Sequence, residues 1–194
     1  MKKDIILAGV GGQGILSIAA TIGIAAIASD LHLKQAEVHG MSQRGGDVPS
    51  YLRLSSKPVH SDLIPKGKAD LIISVEPMES LRYLPMLAPD GWLITNTNSF
   101  VNIPNYPDEK IILEKIDSLP RKIALNADKI AKDLGSSRSA NIVILGAAAP
   151  FLDIEISKLE DSISSIFKKK GDKVVKVNID AFRTGLKIAE ESKL

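Results

Sequence analysis

The chain contains no cysteine. Disulfides, thiolate-ligated iron–sulfur clusters and finger-type zinc sites are therefore excluded within this polypeptide, and any electron-carrying centre belongs to another chain. Aromatic residues make up only 4% of the sequence, so the core must rest on Ile, Leu, Val and Ala, as in a sheet covered by helices. There are three histidines, His32, His39 and His60, and none has an acidic cluster beside it in the sequence. A metal site or a Ser-His-Asp triad is not expected, and no catalytic residue is assigned. Charge of one sign is scarce too: the net charge is +2, too mild for a nucleic-acid partner. The one tight basic run, Lys168-Lys169-Lys170, is expected at a helix end, where it complements the helix dipole. The uncharged stretch over residues 15–28 falls short of the roughly 20 residues a membrane span needs. Met1-Lys2-Lys3-Asp4 before apolar residues imitates a signal peptide, but glycines interrupt the run and no cleavage pattern follows, so a cytoplasmic protein without membrane contact is expected.

What is present is a chain of 194 residues, 44% hydrophobic, which suits one domain over residues 1–194. Residues 4–10 read as a buried strand, residues 14–29 as a helix apolar nearly all round and hence buried, and residues 36–39 as a second strand. Residues 50–55 alternate as a half-exposed strand, and residues 71–75 form a continuous apolar run suited to a central strand. A helix over 77–87, a turn at Pro89-Asp90-Gly91, a strand over 92–96 and a long loop over 98–108 follow. Residues 123–125 read as a further strand, Asn126 as the cap of a helix ending at Gly135, and residues 141–149 as a small-residue helix stopped by Pro150. Ser157 and Glu160 have capping-box spacing, and Val175, Ile179, Phe182, Leu186 and Ala189 form the stripe of a last helix. The alternation predicts an α/β fold: a three-layer α/β/α, Rossmann-like domain with a largely parallel sheet, or a mixed one.

Two glycine-rich loops carry the candidate chemistry. Gly9-Val10-Gly11-Gly12-Gln13-Gly14 satisfies G-x-G-x-x-G between a strand and a helix. Gly9, Gly11, Gly12, Gln13 and Gly14 are thus candidates for a phosphate, or for a cofactor carried by a partner. The dinucleotide motif also asks for an acid about 20 residues on. Asp30 falls before the second strand and Glu37 within it, so a tight strand–helix turn is the competing reading. In the second loop, His39-Gly40-Met41-Ser42-Gln43-Arg44-Gly45-Gly46, hydrogen-bonding side chains crowd onto a flexible backbone. Ser42, Gln43, Arg44, Gly45 and Gly46 suit an anion or a partner's main chain, with Arg44 able to grip a carboxylate or phosphate bidentately and His39 a structural donor or a ligand contact. Asp70, Glu76 and Glu79 form a third feature near the end of the central strand; Glu76 is a candidate cofactor contact, whereas Glu79 suits a first helical turn.

In order along the chain, GVGGQG, HGMSQRGG, ADLIISVEPMES over residues 69–80, Asn141 with Leu145-Gly146, and Asn178 with Ala181-Phe182 and Gly185 resemble the gamma subunit of 2-oxoacid:ferredoxin oxidoreductases. The second loop looks most like that of the small (beta) subunit of the indolepyruvate-type enzymes. The resemblance implies the fold of the gamma domain of pyruvate:ferredoxin oxidoreductase. It also implies a split enzyme that oxidatively decarboxylates a 2-oxoacid to an acyl-CoA and CO2, reducing ferredoxin. A large partner subunit then holds thiamine diphosphate, Mg and the iron–sulfur clusters; CoA is a co-substrate of the complex, and ferredoxin is met indirectly. This chain lacks the Gly-Asp-Gly…Asn motif for the thiamine diphosphate metal, since Asp90-Gly91 follows proline. It is expected to be inactive alone and to self-associate through surfaces meant for its partner. Tyr51, Trp92 and Phe100 are the aromatic candidates for an aryl pyruvate. A free-standing NAD-binding oxidoreductase and a non-enzymatic ligand-sensing or scaffold module are the alternatives.

Overall fold

The computed structural model describes residues 1–37 and 46–192. Six strands form one sheet in the order β2-β3-β1-β4-β5-β6. They are β1 (Lys2–Ala8), β2 (His32–Glu37), β3 (Ser50–Ser55), β4 (Ala69–Ser74), β5 (Leu87–Asn96) and β6 (Lys122–Leu125). β1, β4, β5 and β6 are parallel neighbours, while β3 runs antiparallel to both β1 and β2, so the sheet is mixed.

Alternation along the central strands divides the core. Ile5, Leu7, Leu71, Ile73 and Ile94 face a large apolar cluster on one side, and Ile6, Ile72 and Leu93 face a smaller one on the other. The large cluster is covered by α1 (Ile15–Ile27), α4 (Ala127–Asp133), α5 (Ala140–Ala148), α6 (Ile156–Phe167) and α7 (Asp172–Ser192). The small one is covered by α2 (Pro77–Arg82) and α3 (Glu109–Asp117). Three layers result, as the alternating pattern predicts.

Two helices pack at backbone distance. A Cβ added to Gly146 of α5 would lie 2.0 Å from the Phe182 carbonyl oxygen, and one added to Gly185 of α7 would lie 1.9 Å from that of Val143. The glycines are thus reciprocal, each making room for the other helix's backbone.

Several expectations are corrected. β2 begins at His32, not residue 36, because an edge strand with one antiparallel neighbour needs no apolar run. Pro89-Asp90-Gly91 is an irregularity inside β5, where the register jumps from Ala69↔Leu87 to Leu71↔Trp92. It lies at the amino end of the parallel strands. α3, capped by Asp108 and anchored by Ile112 and Ile116, was not foreseen. Ser157 caps nothing: α6 starts one residue earlier, after Glu155, and no side chain caps it. α1 is buried only on one side; Leu16, Ile24 and Ile27 form an exposed apolar stripe. Among the described residues no helix is long and apolar enough to cross a membrane.

Candidate functional site

The first glycine loop turns from β1 into α1 at the carboxyl edge of the parallel strands. Gly12 has φ of 100° and Gly14 a φ of 79°, conformations that favour glycine. The loop closes on itself: the Gln13 Oε1 accepts from the Val10 N–H at 2.8 Å, and the Gln13 N–H donates to the Val10 carbonyl at 3.1 Å. Gly9 abuts the end of β4, where a Cβ would lie 2.4 Å from Val75 Cγ2. From across the site, Asn141 in the first turn of α5 donates to the Gly14 carbonyl at 2.9 Å.

The two glycine loops meet. The Gly11 N–H donates to the Gly46 carbonyl at 3.0 Å, and Val10 bridges Asp47. His39, Ser42, Gln43, Arg44 and Gly45 lie outside the described residues. The chain leaving that loop is fixed at Asp47, whose Oδ2 accepts from the Tyr83 hydroxyl at 2.7 Å and lies 3.7 Å from Arg82. Burial, then this hydrogen bond, pushes the Tyr83 phenol well above its ordinary value. Burial also raises the Glu79 carboxyl, outweighing Arg82 at 2.6 Å.

A cavity of about 570 Å³ opens beside the first loop. Gly12, Gln13, Gly14 and Ser17 form one wall, residues 136–141 another, and Phe167, Lys170 and Asn178 a third. Two cations, Arg138 and Lys170, line it; the Lys170 ammonium sits 5.3 Å from the Phe167 ring centroid. The amino ends of α1 and α5 open onto the same space, and neither has a side-chain cap. Backbone N–H groups, two helix dipoles and two cations thus converge on one volume, which favours an anion there. Asp128 supplies the one carboxylate of the lining and accepts from Asn96 Nδ2 at 2.7 Å. Asn96 also holds the Val75 carbonyl at 3.2 Å and accepts from the Ala127 N–H at 3.0 Å, joining the ends of β4 and β5 to α4.

Glu76 does not reach the cavity. It is fully buried and caps α2 through the Glu79 N–H at 2.8 Å. Its other oxygen accepts from the Phe100 N–H and from the Tyr106 hydroxyl. Within the fold it acts as a brace. Asp70 is likewise structural: it accepts from the Asp4 N–H at 2.7 Å, near the amino end of β4. The three aromatic candidates are dispersed. Trp92 packs against Phe151 on one face of the sheet, with ring centroids 4.6 Å apart and planes tilted by 40°, Tyr51 packs on the other, and Phe100 lies beyond β5. For a dinucleotide, the ribose acid should follow the strand beside β1. Here β3 stands between β1 and β2, so Glu37 is displaced from the loop, and Asp30 sits past the far end of α1.

Sequence reasoning missed Asn96, Asp128, Arg138 and Lys170 as cavity residues. The available signal was the small polar run Ser136-Ser137-Arg138-Ser139 directly before an apolar helix. Among the described residues no group of three or more His, Asp or Glu is placed to hold a metal.

The sequence matches the family model "Pyruvate ferredoxin/flavodoxin oxidoreductase" over residues 4–188. It is 36% identical to the indolepyruvate oxidoreductase subunit IorB of Methanothermobacter thermautotrophicus, over 99% of this chain and 100% of that one. It is 27% identical to the pyruvate/ketoisovalerate oxidoreductases common subunit gamma of Pyrococcus abyssi, over 90% of this chain and 92% of that one. The keto/oxoacid ferredoxin oxidoreductase gamma subunit of Geobacter sulfurreducens shares the fold, with a TM-score of 0.72 at 23% identity over 97% of this chain and 99% of that one. So does a 2-oxoglutarate:ferredoxin oxidoreductase chain of Magnetococcus marinus, solved with 2-oxoglutarate, coenzyme A and succinyl-CoA, with a TM-score of 0.77 at 23% identity. The match covers 98% of this chain but only 31% of that polypeptide. The glycine loop at the carboxyl edge, the mixed sheet and the full-length sequence match agree, and this chain belongs to the pyruvate ferredoxin/flavodoxin oxidoreductase family.

Proposed function

We propose that the chain is the small subunit of a 2-oxoacid:ferredoxin oxidoreductase acting on indolepyruvate or a related aryl pyruvate, and that it works only with a large partner subunit. The observation that carries this reading is the match to the IorB subunit over the full length of both chains. The absence of cysteine supports the division of labour, because iron–sulfur centres need thiolates from elsewhere. In the overall reaction the 2-oxoacid loses CO2, the former carbonyl carbon gives up two electrons to ferredoxin, and that carbon forms a thioester with CoA, releasing the thiol proton. Thiamine diphosphate in the large subunit supplies the electron sink for decarboxylation.

This chain's part is to bind and orient. Its donor set fits a phosphate-bearing co-substrate rather than a metal: Arg138 and Lys170 meet phosphate charge, the uncapped ends of α1 and α5 offer N–H groups, and Asp128 accepts from a hydroxyl. CoA, present in the Magnetococcus relative, has that chemistry. Asn141 and Gln13 hold the loop in shape for it. Gly46, at the end of the second loop, meets the first loop at Gly11; from their chemistry in the sequence, Ser42, Gln43 and Arg44 are assigned to an anion or to the partner's backbone.

The test is reconstitution. The purified chain, with indolepyruvate, CoA and a redox dye, should give no reduction; adding the large subunit should give turnover, faster with indolepyruvate than with pyruvate or 2-oxoglutarate. Turnover by this polypeptide alone overturns the division of labour, and a preference for pyruvate overturns the substrate.

A further inference from the structure

Beyond β5 the chain makes an apolar loop that is exposed yet tightly held. Phe100 is 46% exposed, Val101 63% and Ile103 38%. Exposed apolar side chains scattered singly need no explanation, but three within four residues do. Their loop is tied down from below. The Phe100 N–H and the Tyr106 hydroxyl both donate to Glu76, a carboxylate with no solvent exposure. The Tyr106 ring packs on the apolar cluster under α2 and α3, and its N–H donates to the Ile103 carbonyl at 3.3 Å. At the other end, Asn96 and Asn98 exchange hydrogen bonds of 3.3 Å. Burying a carboxylate is costly unless its hydrogen bonds are made, so this one makes the loop's shape part of the fold.

No charged residue lies between Asp90 and Asp108. The three exposed side chains therefore present an uncharged apolar knob, which an apolar socket complements. The loop also stands beside the cavity: Asn96, which fixes the start of the loop, lines the cavity and bonds Val75 of its wall.

We infer that Phe100, Val101 and Ile103 form a pre-organised docking knob that inserts into an uncharged apolar socket on the large partner subunit. This rests on the small-subunit reading above. Pre-organisation is the reason for the brace: a loop already ordered loses little entropy on docking, and a central aromatic anchor contributes most of the affinity.

The affinity of the full chain for the large subunit, measured by calorimetry, tests it. Phe100→Ser combined with Val101→Ser should weaken binding by about tenfold or more with an unchanged melting temperature. Ile111→Ser, at an equally exposed apolar position (64%) in α3 outside the loop, should leave affinity unchanged. Tyr106→Phe, which keeps the ring and removes the donor, should also weaken binding. Wild-type affinity in the double variant overturns the knob. Equal losses from Ile111→Ser overturn its specificity. Sedimentation of the isolated chain supplies the other arm: a wild-type dimer abolished by the double variant, with partner affinity intact, assigns the knob to a second copy instead. If the wild-type chain does not bind the large subunit at all, the small-subunit reading falls first and takes the knob with it.

Discussion

Arg138 lies three residues after a helix-ending glycine, in the short 3-10 turn Ser137–Ser139 that leads into α5, and its place there is decided by what it lacks. It lines the cavity without an ion pair to any described residue, as does Lys170. A guanidinium kept free beside two uncapped helix ends is arranged for an anion that arrives, since a resident carboxylate would have neutralised it. Charge-assisted hydrogen bonds to phosphate contribute about 1.5–3 kcal/mol each, and about 1.4 kcal/mol is tenfold in affinity. Arg138→Ala is therefore expected to raise KM for CoA in the assembled enzyme by about tenfold or more, with KM for the 2-oxoacid unchanged. Steady-state kinetics with each substrate varied separately checks it; equal changes in both KM values would mean that the residue supports the fold and not the co-substrate. Gln13 makes the opposite case. Its position in the glycine loop suggests a ligand contact, but its oxygen is committed to the Val10 N–H. The sequence shows that an amide is present, not which donor lies nearest.

At the scale of elements, α5 and α7 show how packing fixes a motif. Gly146 and Gly185 were conspicuous through family resemblance, and the structure supplies the cause: each faces a carbonyl of the other helix at a distance no Cβ tolerates. Gly→Ala in an exposed helix interior gains up to about 1 kcal/mol from propensity. Forcing a methyl into a filled interface costs about 1–3 kcal/mol or more, and here the obstacle is backbone, which cannot rotate away. The steric effect wins, so Gly185→Ala should lower Tm by several degrees, roughly 2–4 °C per kcal/mol in a domain of this size. Gly23→Ala in α1 is the contrast, because its Cβ would meet only the end of the Leu33 side chain, at 3.2 Å. Its Tm should move little. Differential scanning calorimetry of the two variants checks both. The same reasoning explains what was legible beforehand. Strands β1 and β4 announce themselves by continuous apolar runs, because both their faces are buried, and helix α7 by its apolar period, because one face is. β2 does not, since an edge strand is specified by its neighbour's register. α3 does not either, with only Ile112 and Ile116 buried. The cavity was half legible: its glycine wall is local sequence, whereas Asn96, Asp128, Arg138 and Lys170 come together only through the sheet order.

For the whole molecule, the sheet separates two unequal cores. α5 is buried at every position from Asn141 to Ala148, while α3 buries two side chains in the smaller cluster. Local stability follows buried apolar contact, so the two layers should open at different free energies. Native-state hydrogen exchange on the isolated chain is expected to show α5 amides exchanging only through global unfolding. α3 amides should exchange through a partial opening on the order of a few kcal/mol lower. Equal protection in both helices would mean that the layers unfold as one unit. The thin layer also supports the apolar loop, because Tyr106 packs against it. A partner seated on Phe100 and Val101 therefore couples to α3 through Tyr106 and Glu76: anything that binds only the closed layer shifts its opening by mass action. Adding the large subunit should accordingly slow exchange in α3 well beyond any change in α5. An effect confined to α5 would place the partner on the opposite face of the sheet, where α1 carries its own exposed apolar stripe.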